Sequence, residues 1–152
     1  MELKFIKSNE KSKIKDFLNE TFGIEDLNFL LIETSKERIR AFSGNLSKEE
    51  INLLSTLTNI ETIGSYLLKK EKDDSLRLSF DGCHILQDKI KKNIIKLEGG
   101  EAEYWKKGLD LEKENEKGLF VIESDNLFFG CAKSSGKVLL NHIPKDRRMK
   151  LN

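Results

Sequence analysis

One stretch constrains this chain more than any other: Gly118-Leu-Phe-Val-Ile-Glu-Ser-Asp-Asn-Leu-Phe-Phe-Gly-Cys-Ala-Lys133. Leu119-Phe-Val-Ile122 is a continuous apolar run, which suits a strand buried on both faces. Asp125 and Asn126 both tolerate the left-handed conformation, so together they fit a tight hairpin turn. Leu127 to Ala132 then returns as the partner strand. The flanks extend the pattern. Ile94 and Ile95 suit a strand, Gly99-Gly100 a turn, and Ala102 to Lys107 about two helical turns before Gly108 stops them. Ser134-Ser-Gly136 gives a further turn and Val138-Leu-Leu140 a last strand. Short strands with regular turn signals favour a small β-barrel carrying one helix over a parallel sheet.

The first part of the chain reads as α+β. Leu3 to Lys7 alternates as a short strand. Ser8 or Asn9 can cap a helix whose apolar positions are Ile14, Phe17, Leu18 and Phe22, one stripe on a core, and Gly23 ends it. Leu27 to Ile32 and Arg38 to Phe42 form a strand pair. Ser47-Lys-Glu-Glu50 is a capping box, and the helix behind it is expected to bury Ile51, Leu54 and Leu57. Ile60 to Lys70 is a further strand with Gly64 as a bulge. Asp73-Asp74 turns the chain. Ser75 to Phe80 alternates strictly, which predicts Leu76, Leu78 and Phe80 inward and Arg77 outward. A short helix starting at Asp81 or Gly82 runs through Lys92, with Ile85, Leu86 and Ile90 on one side. The boundary between the two parts falls near residue 91, and there is no internal repeat.

Composition bounds the function. The chain has 152 residues, 38% hydrophobic and 35% charged, which is the make-up of a globular protein rather than a disordered one. No apolar run approaches the length of a membrane span, and the Met-Glu-Leu-Lys-Phe-Ile-Lys start lacks the apolar core of a signal peptide. The expected location is the cytoplasm. Two cysteines, Cys83 and Cys131, give no disulfide framework. The net charge of +1 leaves any nucleic-acid contact to a local patch.

Such a patch is present. From Lys133 to the end, six bases (Lys133, Lys137, Lys145, Arg147, Arg148, Lys150) face one acid, Asp146, a formal +5. Lys89, Lys91, Lys92 and Lys96 precede the β-region, and Lys106-Lys107 sit beside its helix. Phosphates are drawn to such clusters, largely through counterion release. Tyr104 and Trp105 can either stack on a base or plug the barrel end. Phe128 and Phe129 are assigned to packing. Cys83, His84, Cys131 and His142 match no finger or ribbon spacing, so no metal is expected. Ser134-Ser-Gly-Lys137 is not a phosphate loop: five residues separate Gly130 from Gly136 where four are needed, and Val138 replaces the hydroxyl residue. Asp73, Asp74 and Asp81 are explained by turns. Nucleophile, base and orienter do not assemble around either histidine. The chain is read as non-catalytic, with no cofactor.

The C-terminal order of elements resembles the PUA domain, an RNA-binding module. Gly64 to Lys69, Leu76-Arg-Leu-Ser-Phe80, Ile94 to Glu101 and Phe129-Gly-Cys-Ala132 occur in the order and spacing of the Nip-seven-type ribosome-biogenesis factors of archaea and eukaryotes. The likeness covers about residues 60 to 148. It departs at Tyr104 to Leu109, which lacks that family's aromatic-Gly-Asn step. The resemblance implies an α/β sandwich-like N-terminal domain over residues 1–90 and a mainly β PUA pseudo-barrel over residues 91–152. It implies that Gly99, Gly100, Lys106, Lys107 and Gly108 lie against an RNA backbone. The basic cluster adds Lys133, Lys137, Lys145, Arg147 and Arg148 to the expected RNA-binding set. The expected partner is RNA, pre-rRNA during large-subunit assembly, with protein partners met through residues 1–90. The alternatives are an RNA-binding accessory subunit of a tRNA- or rRNA-modifying enzyme, and a small enzyme with a site between domains.

Overall fold

The computed structural model describes residues 3–35 and 37–150. Residues 1–2 and 151–152, where the two expected domains begin and end, lie outside the described residues. The first sheet is an antiparallel meander in chain order: β1 (Lys4–Phe5), β2 (Leu30–Thr34), β3 (Arg38–Phe42), β4 (Ser65–Lys70) and β5 (Leu76–Leu78). Three helices accompany it: α1 (Ser8–Phe22), α2 (Lys48–Leu57) and α3 (Phe80–Ile85). The second sheet, a curled half-barrel, is built from β6 (Ile94–Lys96), β7 (Leu111–Glu112), β8 (Gly118–Ser124), β9 (Leu127–Ser134) and β10 (Val138–Asn141), with α4 (Gly99–Lys106) across one end. Its order is β6-β8-β9-β10-β7. The fold is α+β, with the mainly β half-barrel and single helix that the pattern implied.

The β8–β9 hairpin holds the two sheets together. Asp125 and Asn126 turn it with φ of 53° and 63°. Leu119 and Val121 of β8 join Phe128 and Cys131 of β9 in a core shared with Leu78, Cys83 and Leu86 of the first part. Ile122 and Ala132 point the other way, into a second core with Trp105, Leu111, Leu139 and Ile143. The apolar run is therefore buried on both faces, and each face serves a different core. The β6–β8 pair is parallel, with Ile94 against Val121, an arrangement the short-strand pattern did not predict. The crossover through α4 and β7 makes a parallel pair possible.

Several local expectations are corrected. Neither Ser8 nor Asn9 caps α1; Lys7 occupies that position without a side-chain bond, because its carbonyl already accepts from the Lys11 N–H at 2.8 Å. The strand expected from Leu27 starts at Leu30, where pairing with Phe42 begins, and Leu27 is buried ahead of it. The Ser47 capping box forms in both directions, but α2 buries only Ile51; Leu54 and Leu57 are exposed. That helix rests on Ile32 and Ile63 through one residue. The bulge in β4 falls at Leu67, since Ile39 opposes Leu68 while Arg40 opposes Tyr66. Phe80 is the first residue of α3 rather than the last of β5, because the Ser79 hydroxyl accepts from the Gly82 N–H at 2.8 Å and starts the helix there. The helix expected through Lys92 ends at Ile85, followed by a 3₁₀ turn at Gln87–Lys89; Leu86 and Ile90 are buried, but Ile85 is exposed.

Gly82 explains how α3 lies so close to β4. A Cβ there would stand 2.1 Å from the Leu67 carbonyl oxygen, so only glycine lets the two backbones meet.

Candidate nucleic-acid interface

The start of α4 presents Gly99 and Gly100 to solvent. Gly99 has φ of 58°, which glycine adopts without strain, and a methyl group at either position would meet nothing within 4 Å. The backbone here is open to a ligand. Its surroundings are of mixed charge. A groove beside Gly99 holds Lys96 and Lys106 with Glu98, Glu103 and Asp125. A second groove, beside Gly100, brings Tyr104 near Glu101, Asp110 and Glu112.

The lysines of α4 behave differently from one another. The Lys106 ammonium lies 4.5 Å from the Phe129 ring centroid and 3.4 Å from the Asp125 carboxylate, and its side chain is only 15% exposed. Its stem covers apolar surface while its charge is held over the ring. Lys107 stands at the C-cap, half-buried, with no ion-pair partner among the described residues. Of the two aromatic residues, Trp105 is fully buried and its indole N–H donates to the Phe129 carbonyl at 2.8 Å. Trp105 therefore plugs the core, and Tyr104, half-exposed, is the ring that reaches the surface.

The tail folds back onto α4. The Met149 N–H donates to the Lys106 carbonyl at 2.8 Å. Arg148 lies across Gly108, where a Cβ would come within 2.3 Å of its side chain, and its Nε donates to the Ile143 carbonyl at 2.9 Å. Arg147 pairs with Asp81 at 3.1 Å and sits over the Phe80 ring. These two arginines fasten the tail to both parts of the fold. Lys137 and Lys145 are exposed and have no carboxylate partner among the described residues. Lys133 approaches Asp73 at 3.7 Å and remains about half-exposed. The structure thus brings Gly108, Lys106 and Arg148 together and sets Lys133 and Lys137 apart, around the β9–β10 turn. Lys89 and Lys91 are paired with Asp26 and Glu25.

Sequence reasoning missed the junction between the sheets. Arg77, expected to face outward, is 13% exposed and bonds Glu71 at 2.7 Å. Alternation assigns two faces to β5 but does not reveal the Glu71 carboxylate that holds Arg77 against the fold. Burial, helped by Arg77, holds His142 down to about 4. Burial also pushes Cys131 up to about 12 and Cys83 well above the usual thiol range. At Glu33 and Glu71 burial works upward. Hydrogen bonds from Lys70 and Lys4, and from Arg77, bring both carboxyls below their usual range; Ser75 does the same for Asp73. These directions favour fixed ion pairs, neutral imidazole and protonated thiols. Among the described residues no three His, Cys, Asp or Glu side chains gather to hold a metal ion, and no helix is long and apolar enough to cross a membrane.

Residues 92–149 match the family model described as the PUA domain of the methyltransferase RsmF. The matched span opens just before β6 and closes where the tail meets α4, so it takes in the whole second sheet. No curated protein matches the chain. The half-barrel, its cross-lying helix and this match agree that residues 92–149 form a PUA domain, a kind of domain that binds RNA.

Proposed function

We propose that this chain is a non-catalytic RNA-binding protein whose PUA domain holds structured RNA, pre-rRNA during assembly of the large ribosomal subunit. The observation that carries the reading is the PUA match over residues 92–149. The open backbone at Gly99 and Gly100 supports it, as do the exposed Lys133, Lys137 and Lys145. Phosphate contacts of this kind fix a protein on its RNA without reading sequence. The resemblance to the ribosome-biogenesis factors supports the choice of pre-rRNA. The carboxylates held below their usual range, the protonated thiols and the neutral His142 support a non-catalytic role, because a general acid or base needs a pKa near the working pH.

The first part, divided from the second near residue 91, acts as the orienting and protein-binding unit, in the cytoplasm. The core shared between β5, α3, β8 and β9 supports the orienting role, since it ties the PUA domain to one pose. The exposed Leu46, Leu53, Leu54 and Leu57 on and beside α2 support protein contact. A second reading, an accessory subunit of an RNA-modifying enzyme, is favoured by the matching model being that of a methyltransferase. Crosslinking the protein to RNA in cells and sequencing the product separates these readings. Large-subunit precursor sequences are expected. Recovery of tRNA alone would transfer the assignment to the modification complex, and recovery of no RNA above background would end both readings.

A further inference from the structure

Residues 4–15 read Lys-Phe-Ile-Lys-Ser-Asn-Glu-Lys-Ser-Lys-Ile-Lys: five lysines against one acid, a formal +4. This is a denser positive charge than the C-terminal tail carries, and it sits in the part of the chain that is not PUA. Among the described residues, no carboxylate pairs with Lys7, Lys11, Lys13 or Lys15. The one acid of the stretch, Glu10, is bonded by Lys70.

Fold stability does not account for this arrangement. A helix favours acids in its first turns and bases in its last. In α1 only Glu10 of the first turn follows this preference: Lys7 is the N-cap, Lys11, Lys13 and Lys15 follow within the first half, and the last turn has Glu20 and no base. Lys7, Lys11 and Lys15 follow one another at four-residue steps, so their Cβ atoms form one row about 5–6 Å apart. The row is tight enough to be felt. The Lys11 ammonium, which donates to the Phe29 carbonyl at 2.6 Å, is lowered by burial and by the neighbouring Lys15 and Lys48. A groove also runs along α1, reached by Lys7 but not by Lys11 or Lys15. It is lined by Lys4, Lys7, Lys13 and Lys70 together with the carboxylates Glu10, Glu71 and Asp74, and by the half-buried Phe5 and Phe17.

We infer that the lysine row of α1, Lys7, Lys11 and Lys15, forms a second contact for the phosphate backbone of the RNA, separate from the PUA domain. A chain of phosphates complements an unpaired lysine row, and the helix carries that row against its own dipole. The inference rests on the RNA-binding reading and extends it: the first part of the fold would help to hold the RNA as well as orient the PUA domain.

The test is the variant Lys7→Gln with Lys15→Gln, which spares the Lys11 bond to the Phe29 carbonyl, titrated by anisotropy against a fluorescein-labelled stem–loop RNA with a single-stranded flank over a range of salt. Affinity should fall by about tenfold or more. The slope of log affinity against log salt should flatten by about 1.4, taking roughly 0.7 for each of two phosphates no longer neutralised. The melting temperature should hold or rise, because the charges removed opposed the helix dipole. A residue row that served the fold alone would give the opposite: a lower melting temperature with RNA affinity intact. Wild-type affinity and slope in the variant would overturn this inference and leave the PUA reading standing. An acidic protein that binds the wild type but not the variant, with RNA affinity unchanged, would overturn it in favour of a protein ligand. Absence of RNA binding by the wild type would overturn both.

Discussion

Replacing Trp105 by Phe separates the two roles open to it in the sequence, a base-stacking platform and a core plug. Trp105 is fully buried among Leu97, Ala102, Leu111, Ile122 and Leu139. Its N–H reaches the carbonyl of Phe129, a residue without a partner in the β8–β9 ladder because the register shifts there. Phe keeps most of the apolar volume but removes this donor. A buried acceptor left without a partner costs about 1–3 kcal/mol. The space left by the missing ring adds about 1 kcal/mol at ~24 cal/mol per Å³. The expected loss is therefore about 2–4 kcal/mol, a drop in Tm of roughly 4–16 °C at about 2–4 °C per kcal/mol for a chain of this size. Trp105→Ala should lose at least about 3–5 kcal/mol. Urea unfolding followed by far-UV circular dichroism is the suitable assay, because the chain has a single Trp and both variants lack a tryptophan signal. Stability within about 0.5 kcal/mol of wild type, the range of an exposed substitution, together with weakened RNA binding, would refute the core assignment.

Three further outcomes are expected. Gly82→Ala should cost about 3 kcal/mol or more, because its Cβ would meet the Leu67 carbonyl oxygen, part of the backbone, at 2.1 Å; a wild-type melting curve would show that α3 does not press on β4. As pH falls from about 6.5 towards 4, the unfolded chain takes up a proton at residue 142 that the folded chain, with His142 held to about 4, refuses, so stability declines across that window. His142→Asn should remove that part of the decline, and identical urea midpoint shifts in variant and wild type between about pH 7 and 4.5 would refute it. Lys106→Glu with Lys107→Glu should reduce RNA affinity by about tenfold or more. The change at Lys106 should also lower stability measurably, since it sets a carboxylate against Asp125 and over the Phe129 ring; unchanged affinity would move the RNA contact to the β9–β10 turn.

The parts of the fold legible in the sequence are those fixed by local chemistry. The Asp125-Asn126 turn, the Gly23 helix stop and the Ser47 capping box each depend on residues a few positions apart, and each formed where the pattern implied. The parts that were not legible depend on what comes to lie alongside. Leu54 and Leu57 carry the same periodicity as Ile51, yet no second layer reaches them. Arg77 has the alternation of an outward residue, yet it lies largely buried against Glu71. The candidate interface shows the same division. The glycines at 99 and 100 are readable as open backbone. That Arg148 would lie on Gly108, and that Lys106 would turn onto Phe129, are long-range contacts that no spacing encodes. The lysine row of α1 takes its meaning from the helix, which aligns Lys7, Lys11 and Lys15 near its N-terminal end.

The most direct test of the central claim is the salt dependence of RNA binding by the intact wild-type chain. Four or five phosphates engaged by the PUA domain predict that log affinity falls with log salt at a slope of about −3, at roughly −0.7 per phosphate, steepening to about −5 if three lysines of α1 also engage. A slope near zero, or no binding to structured RNA at low salt, would contradict the account.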